Sequence, residues 1–228
     1  MFFIDPMYLV FIAPGLLLAL WASWRVKRNF AKYAEVGTRN NYNGVETARL
    51  LLDRAGLQDV RVVRSEGMLS DHYNPVTREL ALSDQVYDGR SIAAIGVAAH
   101  EAGHALQHAQ GYFPLWVRSL LVPTANIGSS IGYIVMFAGL FIHPYVVLAG
   151  IALFSAVLVF QLVTLPVEFD ATARAKRLVV DAGIIAPYER EGMDKVLDSA
   201  ALTYVAGVIS TLMVILYYLW IVFSGSSR

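Results

Sequence analysis

Four long apolar stretches constrain this 228-residue sequence more than any other feature. A helix needs about 20 apolar residues to cross the hydrocarbon core of a bilayer. Because lipid offers the backbone no hydrogen-bond partners, such stretches cross it as helices. We therefore predict a mainly α membrane protein with about four transmembrane helices. The apolar stretches are Met7–Trp24, Leu120–Ile142, Pro144–Leu165, which Pro166 is expected to close, and Ala200–Phe223.

The composition favours the lipid bilayer as a partner over nucleic acid. Hydrophobic residues make up 57% of the chain and charged residues 16%, whereas about a quarter of an ordinary soluble domain is charged. The 18 basic and 18 acidic residues cancel, so no net positive field favours nucleic acid. The chain has no cysteine, which excludes disulfides, thiolate metal sites and a cysteine nucleophile. The composition leaves the oligomeric state open.

The distribution of cations predicts the orientation of the four helices. Lysine and arginine are enriched in cytoplasmic segments that flank membrane helices. Eleven of the 18 basic residues lie in residues 25–114 and five in residues 166–199. Both connections are therefore expected on the cytoplasmic side, with both chain termini outside. The first apolar stretch could instead be a cleaved signal peptide, but its cations follow the apolar run rather than precede it, which favours an uncleaved anchor.

The two polar segments face the same compartment in this topology, so we expect them to form one small α+β domain on the membrane surface. The sequence then divides into transmembrane helix 1 in 1–24, a cytoplasmic insertion in 25–114, transmembrane helices 2 and 3 in 115–165, a cytoplasmic connection in 166–199, and transmembrane helix 4 with the C-terminus in 200–228.

Local patterns predict the elements of this domain. Apolar spacing, cap residues and stop residues indicate helices, and β-branched runs beside turn residues indicate strands and hairpins. The predicted elements are a helix over Gly44–Ala55 with Asn43 as cap and Gly56 as stop, a strand at Val60–Val63, a hairpin over Met68–Ser83 that turns at Asn74-Pro75, and a helix over Ile92–Ala109 capped by Ser91.

The last of these helices carries the central motif, His100-Glu101-Ala102-Gly103-His104. Side chains four residues apart lie one turn above each other on a helix, about 6 Å apart. Two imidazoles so placed can converge on one zinc ion. Glu101 points about 100° around the helix axis, so it can reach a water on the metal as general base without being a ligand. The motif predicts one Zn²⁺ per chain, held by His100 and His104.

A catalytic zinc needs a third protein ligand and an open position, and Glu168 is the best candidate. It lies in a segment that follows the third apolar stretch, where membrane-depth acids are usually functional. Asp170 is the alternative, but two residues apart on a helix the two acids face nearly opposite ways. His108, one turn beyond His104, should overshoot the metal, and Gln107 and Gln110 occupy the glycine and third-histidine positions of the longer HExxHxxGxxH pattern. We interpret His108 as a residue that packs behind the ligands.

Together these residues resemble a known family. The strings GRSIAAIGVAAHEAGHALQH, LPVEFDATARA and AALTYVAG are similar to the YugP-type membrane zinc metallopeptidases of bacteria and, more distantly, to the HtpX-type and CaaX-prenyl-type membrane proteases. The resemblance implies a zincin-like, gluzincin-like hydrolase of the bacterial inner membrane that cuts peptide bonds in membrane or misfolded proteins. It assigns zinc ligation to His100, His104 and Glu168 and general-base catalysis to Glu101.

The sequence departs from the HtpX-like pattern at Thr172, where that pattern has aspartate four residues after the glutamate ligand. The residue that orients the histidines is therefore open. Asp170 is one candidate, because its carboxylate could accept the imidazole N–H opposite the zinc. The same carboxylate could alternatively pair with Arg174 one turn on.

Substrate contacts are predicted at two places. The strand Met68–Tyr73, which includes His72 and Tyr73, could bind a peptide by adding it to the sheet edge. A donor for the developing oxyanion is also needed, and Tyr204 at the start of the fourth membrane helix is the first choice. Two other functions stay open: an intramembrane protease of the site-2 type, which would use an aspartate such as Asp181, and a non-catalytic scaffold or chaperone stabilised by zinc.

Overall fold

The computed structural model describes residues 6–67 and 70–225, and within these ranges the chain forms eight α-helices and a three-stranded sheet. Met68 and Leu69 of the predicted edge strand lie outside the described residues. The elements are α1 (Pro6–Ala34), α2 (Gly44–Arg54), β1 (Arg61–Ser65), β2 (His72–Asn74), β3 (Glu79–Ser83), α3 (Asp84–Tyr87), α4 (Ile92–Ala109), α5 (Phe113–Ile127), α6 (Tyr133–Ile142), α7 (Pro144–Asp181) and α8 (Arg190–Gly225).

Four helical segments in the described ranges are long and apolar enough to cross a membrane, as the sequence predicts. They are α1, the segment Phe113–Ile142 made of α5, a π-helical turn and α6, then α7, and the segment Pro187–Ser224 that contains α8. Each predicted apolar stretch lies within one of them. The mainly helical membrane architecture is thereby confirmed in its coarse form.

Two of these helices extend beyond the apolar stretches that predicted them. Pro166 does not close the third stretch, because α7 continues through it to Asp181. A proline removes one backbone donor, and helices that cross membranes tolerate it. The carbonyl of Pro166 itself accepts a hydrogen bond from the hydroxyl of Tyr112 at 3.4 Å. The fourth helix likewise begins at Arg190, ten residues before Ala200.

The chain divides into two compact units. The spanning unit comprises Met1–Ser23, Trp116–Leu165 and Leu202–Arg228, and the polar unit comprises Trp24–Leu115 and Pro166–Ala201. Helices α1, α5, α7 and α8 contribute residues to both units.

Close backbone contacts at glycines hold the helices of the spanning unit together. A Cβ atom on Gly139 would lie 2.5 Å from the backbone nitrogen of Val147, and one on Gly150 would lie 2.4 Å from that of Met136. Small residues permit this approach, and the resulting packing drives helix association in lipid. The helix pair α6 and α7 therefore depends on glycine at these two positions.

The sheet of the polar unit has the strand order β1-β3-β2. Strands β2 and β3 are antiparallel, which confirms the predicted hairpin. In its turn the side chain of Asn74 accepts a hydrogen bond from the backbone N–H of Val76 at 2.9 Å, as asparagine does in turns. Strand β1 is parallel to β3. Strand β2 is therefore one edge of the sheet.

Helix α2 packs against α4 in the polar unit. The predicted cap is confirmed, because the side chain of Asn43 accepts a hydrogen bond from the backbone N–H of Glu46 while the Glu46 carboxylate accepts one from Asn43. This reciprocal arrangement satisfies two of the free donors at the helix start. Gly56 follows the helix with φ +73°, a left-handed conformation that glycine adopts without a Cβ penalty.

Helix α4 is the central element of the polar unit. Ser91 caps it by accepting a hydrogen bond from the backbone N–H of Ala94 at 3.2 Å. Half of its residues are alanine or glycine, so neighbouring helices approach its backbone closely. Its fully or almost fully buried alanines are Ala93, Ala94, Ala98, Ala99, Ala102 and Ala105. The long helix that bears the motif therefore lies inside the core of the polar unit.

Candidate metal centre

Three side chains from two helices of the polar unit converge at one point. His100 and His104 lie on α4 and Glu168 lies on α7. Glu168 Oε2 is 3.2 Å from His100 Nε2 and 3.5 Å from His104 Nε2. Their potential ligand atoms all lie within 4.8 Å of one another. The structure thus brings together the three residues for which the sequence predicts zinc ligation.

The spacing of these donors fits a tetrahedral zinc ion. Bonds of about 2.0–2.1 Å at tetrahedral angles place neighbouring ligand atoms about 3.3 Å apart. The two distances to the Glu168 oxygen, 3.2 and 3.5 Å, are close to that edge length. Two imidazoles and a carboxylate are also the donor set of a known class of catalytic zinc sites, which keeps one position open. The residues present therefore fit the metal.

Gly103 permits the two ligand-bearing helices to come together. A Cβ atom at this position would lie 2.9 Å from the backbone oxygen of Ala171 on α7. Backbone cannot rotate away as a flexible side chain does. The glycine inside the motif therefore sets the distance between α4 and α7, and with it the position of Glu168.

A buried hydrogen-bond chain supports His104 from behind. Gln107 Oε1 lies 2.9 Å from His104 Nδ1, and Gln107 Nε2 donates to the Val167 carbonyl and to Asp170 Oδ2, each at 2.8 Å. Arg174 Nε donates to the same Asp170 oxygen at 2.5 Å. Asp170 therefore supports His104 through Gln107 rather than by direct contact. Gln107 is fully buried, and the sequence analysis did not assign it a role.

His100 is supported by the residue at which the sequence departs from the HtpX-like pattern. The hydroxyl of Thr172 lies 3.3 Å from His100 Nδ1, on the ring nitrogen opposite the one that faces Glu168. Thr172 is buried and stands one helical turn after Glu168 on α7. Residues that hold the second ring nitrogen of a histidine ligand orient the ring and raise its basicity. The Thr172 hydroxyl thus contacts the second ring nitrogen at the position where the HtpX-like pattern has an aspartate carboxylate.

The charges of the cluster favour a cation between the three side chains. Burial disfavours a charge on His104, yet its hydrogen bond to Glu168 and the nearby carboxylates raise its pKa above the ordinary 6.5. Burial also disfavours the Glu168 carboxylate, which follows the apolar run that ends at Leu165. Hydrogen bonds from His100 and His104 nevertheless hold the pKa of Glu168 well below 4.5. The same negative field would attract a dication.

Glu101 lies beside the cluster without being part of it. Its side chain is buried to 8% residual exposure, and its negative charge acts on His104. Within residues 6–67 and 70–225 its carboxylate has no hydrogen-bond partner. The lone pairs of Glu101 are therefore open to a water molecule or a substrate, as a general base requires.

Comparison with known proteins agrees with this geometry. The family described as putative neutral zinc metallopeptidase matches residues 8–223 of the chain. The chain belongs to this family. It is also 45% identical over 209 residues to the putative membrane protease YugP of Bacillus subtilis (strain 168), covering 91% of this chain and 93% of that protein. No solved structure matches the chain. The resemblance inferred from the sequence motifs is thus confirmed.

The metal cluster does not include the aspartate of the site-2 alternative. Asp181 ends α7, 13 residues beyond Glu168, which corresponds to about 20 Å along a helix at 1.5 Å per residue. It is not among the three residues of the cluster. The three donors come from α4 and the middle of α7.

Strand β2 lies beside α4, the helix that carries the motif. Its residue Tyr73 contacts α4, where the phenol oxygen lies 2.9 Å from His108 Nδ1. Burial raises the pKa of Tyr73, so its hydroxyl stays protonated at neutral pH. His108 is thus tied to the sheet and does not join the metal cluster. His72 is exposed, and its ring nitrogen lies 2.8 Å from the Ser70 carbonyl oxygen.

Arg174 and Tyr204 are not among the three residues of the cluster. Arg174 donates to Gln110 Oε1 at 2.5 Å as well as to Asp170, so it links α7 to the end of α4. Tyr204 belongs to the spanning unit and is 37% exposed. Its role as an oxyanion donor stays a prediction.

Proposed function

We propose that the chain is a membrane-embedded zinc metalloendopeptidase that holds one Zn²⁺ between His100, His104 and Glu168. The observation that carries the proposal is the convergence of these three donors, in which Glu168 Oε2 lies close to the tetrahedral edge length from both histidine Nε2 atoms. Beside them is the carboxylate of Glu101, which has no hydrogen-bond partner among the described residues. A structural zinc site is closed, usually by four ligands. Three converging donors with an adjacent free carboxylate instead fit a hydrolytic site.

The proposed chemistry divides between the metal and Glu101. When bound, zinc supplies a Lewis acid that polarises a carbonyl and lowers the pKa of water. The Glu101 carboxylate accepts a proton from the attacking water and passes it to the leaving amide nitrogen. His100 and His104 present their Nε2 atoms to the ion, and Glu168 presents Oε2 as a carboxylate anion. Thr172 and Gln107 hold the two rings from the opposite side.

The proposed substrate is a membrane or misfolded protein, bound as an extended peptide along β2. This strand is an edge of the sheet and contacts α4, the helix that carries His100 and Glu101. An added strand gains main-chain hydrogen bonds, and its alternate side chains face pockets. By the distribution of cations, the site faces the cytoplasm and both termini lie outside the inner membrane.

Replacement of Glu101 tests the proposal. In purified full-length protein, Glu101→Gln should keep zinc at one ion per chain, because Glu101 is not a ligand. Hydrolysis of casein or of a membrane-protein reporter should fall by about 10²–10⁴-fold, the usual contribution of a general base. Glu191→Gln is the matched control, since the Glu191 side chain is exposed and its carboxylate pairs with Lys195 on the same helix.

Each outcome assigns a function. If Glu101→Gln abolishes turnover and Glu191→Gln does not, the peptidase proposal stands. If Glu101→Gln cuts the substrate as fast as the unaltered protein, Glu101 is not the base and the proposal fails. Zinc bound at one ion per chain without hydrolysis in any variant would instead support the zinc-stabilised scaffold.

A further inference from the structure

We propose that Gln107 is a positioning residue that fixes the tautomer of His104 and thereby presents His104 Nε2 to the metal. This inference rests on the proposed zinc site. Gln107 lies on α4, three residues after His104, and its side chain is fully buried. It contacts both His104 and α7, the helix that supplies Glu168.

The orientation of the Gln107 amide follows from its partners. Its nitrogen faces two groups that only accept hydrogen bonds, the Val167 carbonyl oxygen and the Asp170 carboxylate, each at 2.8 Å. An amide nitrogen has two hydrogens, so both are used. Rotating the amide by 180° would place its oxygen against two acceptors, which is repulsive. The amide group can therefore adopt only the orientation in which its oxygen faces His104.

The orientation of the amide oxygen in turn determines the tautomer of His104. Gln107 Oε1 lies 2.9 Å from His104 Nδ1, and an amide oxygen can only accept. His104 Nδ1 must therefore carry the hydrogen, since a neutral imidazole has one donor and one acceptor nitrogen. In the neutral ring the lone pair is therefore left on Nε2, the atom through which the protonated ring donates to Glu168 Oε2 at 3.5 Å when no metal is bound. Nε2 is thus ready to bind a metal.

Asp170 and Arg174 hold the amide in place. Arg174 Nε donates to Asp170 Oδ2 at 2.5 Å, and its Nη1 donates to Gln110 on α4 at 2.5 Å. The carboxylate is therefore kept ionised and directed at Gln107. Because the chain of bonds links α4 to α7, it couples the orientation of His104 to the helix that carries Glu168.

The surroundings of His100 do not fix its tautomer in the same way. Its Nδ1 faces the Thr172 hydroxyl at 3.3 Å, and a hydroxyl can either donate or accept. Either tautomer of His100 can therefore be satisfied. The two ligand histidines differ in this respect, and only His104 is predetermined by its surroundings. Loss of Gln107 should for that reason disturb His104 and leave His100 unchanged.

Three variants of the full-length chain test the inference. Gln107→Met keeps the approximate volume but removes both hydrogen-bonding groups. Gln107→Glu keeps an acceptor for His104 but sets a carboxylate oxygen against both the Val167 carbonyl and Asp170. Gln107→Glu combined with Asp170→Asn replaces the second of these repulsive contacts by a donor–acceptor pair and leaves the first, while it still offers an acceptor to the His104 N–H. Asp170→Asn alone is the matched control.

Zinc affinity and the state of the His104 ring are the measurements. Affinity is measured by competition with a chelator, and Gln107→Met should bind zinc about 10–100-fold more weakly, as is usual for partners of metal ligands. The double variant should bind zinc more tightly than Gln107→Glu alone and more weakly than the unaltered protein, because only one of its two repulsive contacts is removed. Nitrogen-15 NMR of histidine-labelled zinc-loaded protein should show His104 with a hydrogen on Nδ1 that exchanges slowly with solvent. In Gln107→Met this exchange should accelerate, while the His100 signal stays the same.

The outcomes separate this inference from the proposed function. Unchanged zinc affinity and unchanged His104 exchange in Gln107→Met would overturn the role of Gln107, even if the protein cuts peptides. The unaltered protein provides an independent test that needs no variant. If NMR places the hydrogen of its His104 ring on Nε2, the inference is overturned. If the protein binds zinc with the expected ring state but hydrolyses nothing, the positioning role stands and the peptidase proposal fails.

Discussion

The hydroxyl of Thr172 lies 3.3 Å from Nδ1 of His100, the ring nitrogen that faces away from Glu168. A related sequence pattern has aspartate at this position. The distance of 3.3 Å is longer than the 2.9 Å between Gln107 Oε1 and His104 Nδ1, and it lies beyond the usual range of about 2.7–3.2 Å for such a hydrogen bond. The hydrogen bond to His100 is thus the weaker of the two that support the ligand histidines, and a substitution at Thr172 should have the smaller effect.

Replacing Thr172 with valine tests this ranking. Valine has nearly the same shape and lacks the hydroxyl, so His100 loses its partner at Nδ1 while the packing is kept. We expect zinc affinity to fall by less than about tenfold, the lower end of the range for partners of metal ligands. Thr164→Val is the control on the same helix, since the Thr164 hydroxyl donates only to the Phe160 carbonyl, at 2.7 Å. A larger loss of affinity in Thr172→Val than in Gln107→Met would contradict the ranking.

Gly103→Ala should damage the metal site through the backbone. The new Cβ would lie 2.9 Å from the carbonyl oxygen of Ala171, so α4 and α7 must separate. Overpacking of this kind costs about 1–3 kcal/mol, and the shift moves Glu168 away from both histidines. Thermal unfolding and chelator competition should both show a loss.

Gly96→Ala is the matched control on the same helix. Its Cβ would lie 3.1 Å from Cγ of Met193, and a methionine side chain adapts to such a contact. Zinc affinity should therefore be kept in Gly96→Ala. Equal zinc affinity in the two glycine variants would show that the separation of α4 and α7 does not control the site.

Local sequence patterns predicted the elements that position the site. The bounds of α4 coincide with the predicted range because Ser91 caps its start and the apolar spacing is continuous. Asn43 and Gly56 similarly define α2. These signals are contained within a few residues of the chain, so one sequence is enough to detect them.

Contacts between distant segments could not be predicted in the same way. Gln107 and Thr172 obtain their roles only when α4 packs on α7, 60 or more residues away along the chain. A buried glutamine in an apolar helix was a signal for Gln107, because burying an amide is costly without partners. The continuation of α7 through Pro166 also depends on its surroundings. The parallel pairing of β1 with β3 has no local signature either.

Single alanine substitutions should separate ligands from supporting residues. We expect nearly complete loss of zinc in Glu168→Ala, because its oxygen lies within 3.5 Å of both histidine Nε2 atoms. His100→Ala and His104→Ala should behave alike. Asp170→Ala should only weaken binding, since Asp170 acts through Gln107. Metal content after gel filtration measures this, and retention of one zinc ion by Glu168→Ala would remove it from the ligand set.

Stability in the absence of zinc should depend on pH through the pair of His104 and Glu168. The raised pKa of His104 means that its contribution is complete below about 6.5 and is lost as the pH rises through its folded value. The lowered pKa of Glu168 means that its contribution is present above about 4.5 and is lost as the pH falls through its folded value. Chelator-treated protein should therefore unfold at a higher temperature at pH 6 than at pH 9.

Zinc should reverse this dependence. The metal binds neutral imidazole and competes with protons, so zinc-loaded protein should gain stability as the pH rises from 6 to 8. His104→Gln removes the titrating group and should flatten the profile of the chelator-treated protein between pH 6 and 9. Thermal unfolding followed by circular dichroism with and without zinc measures both profiles. Parallel profiles for the two forms would show that the proton and the metal do not compete for His104.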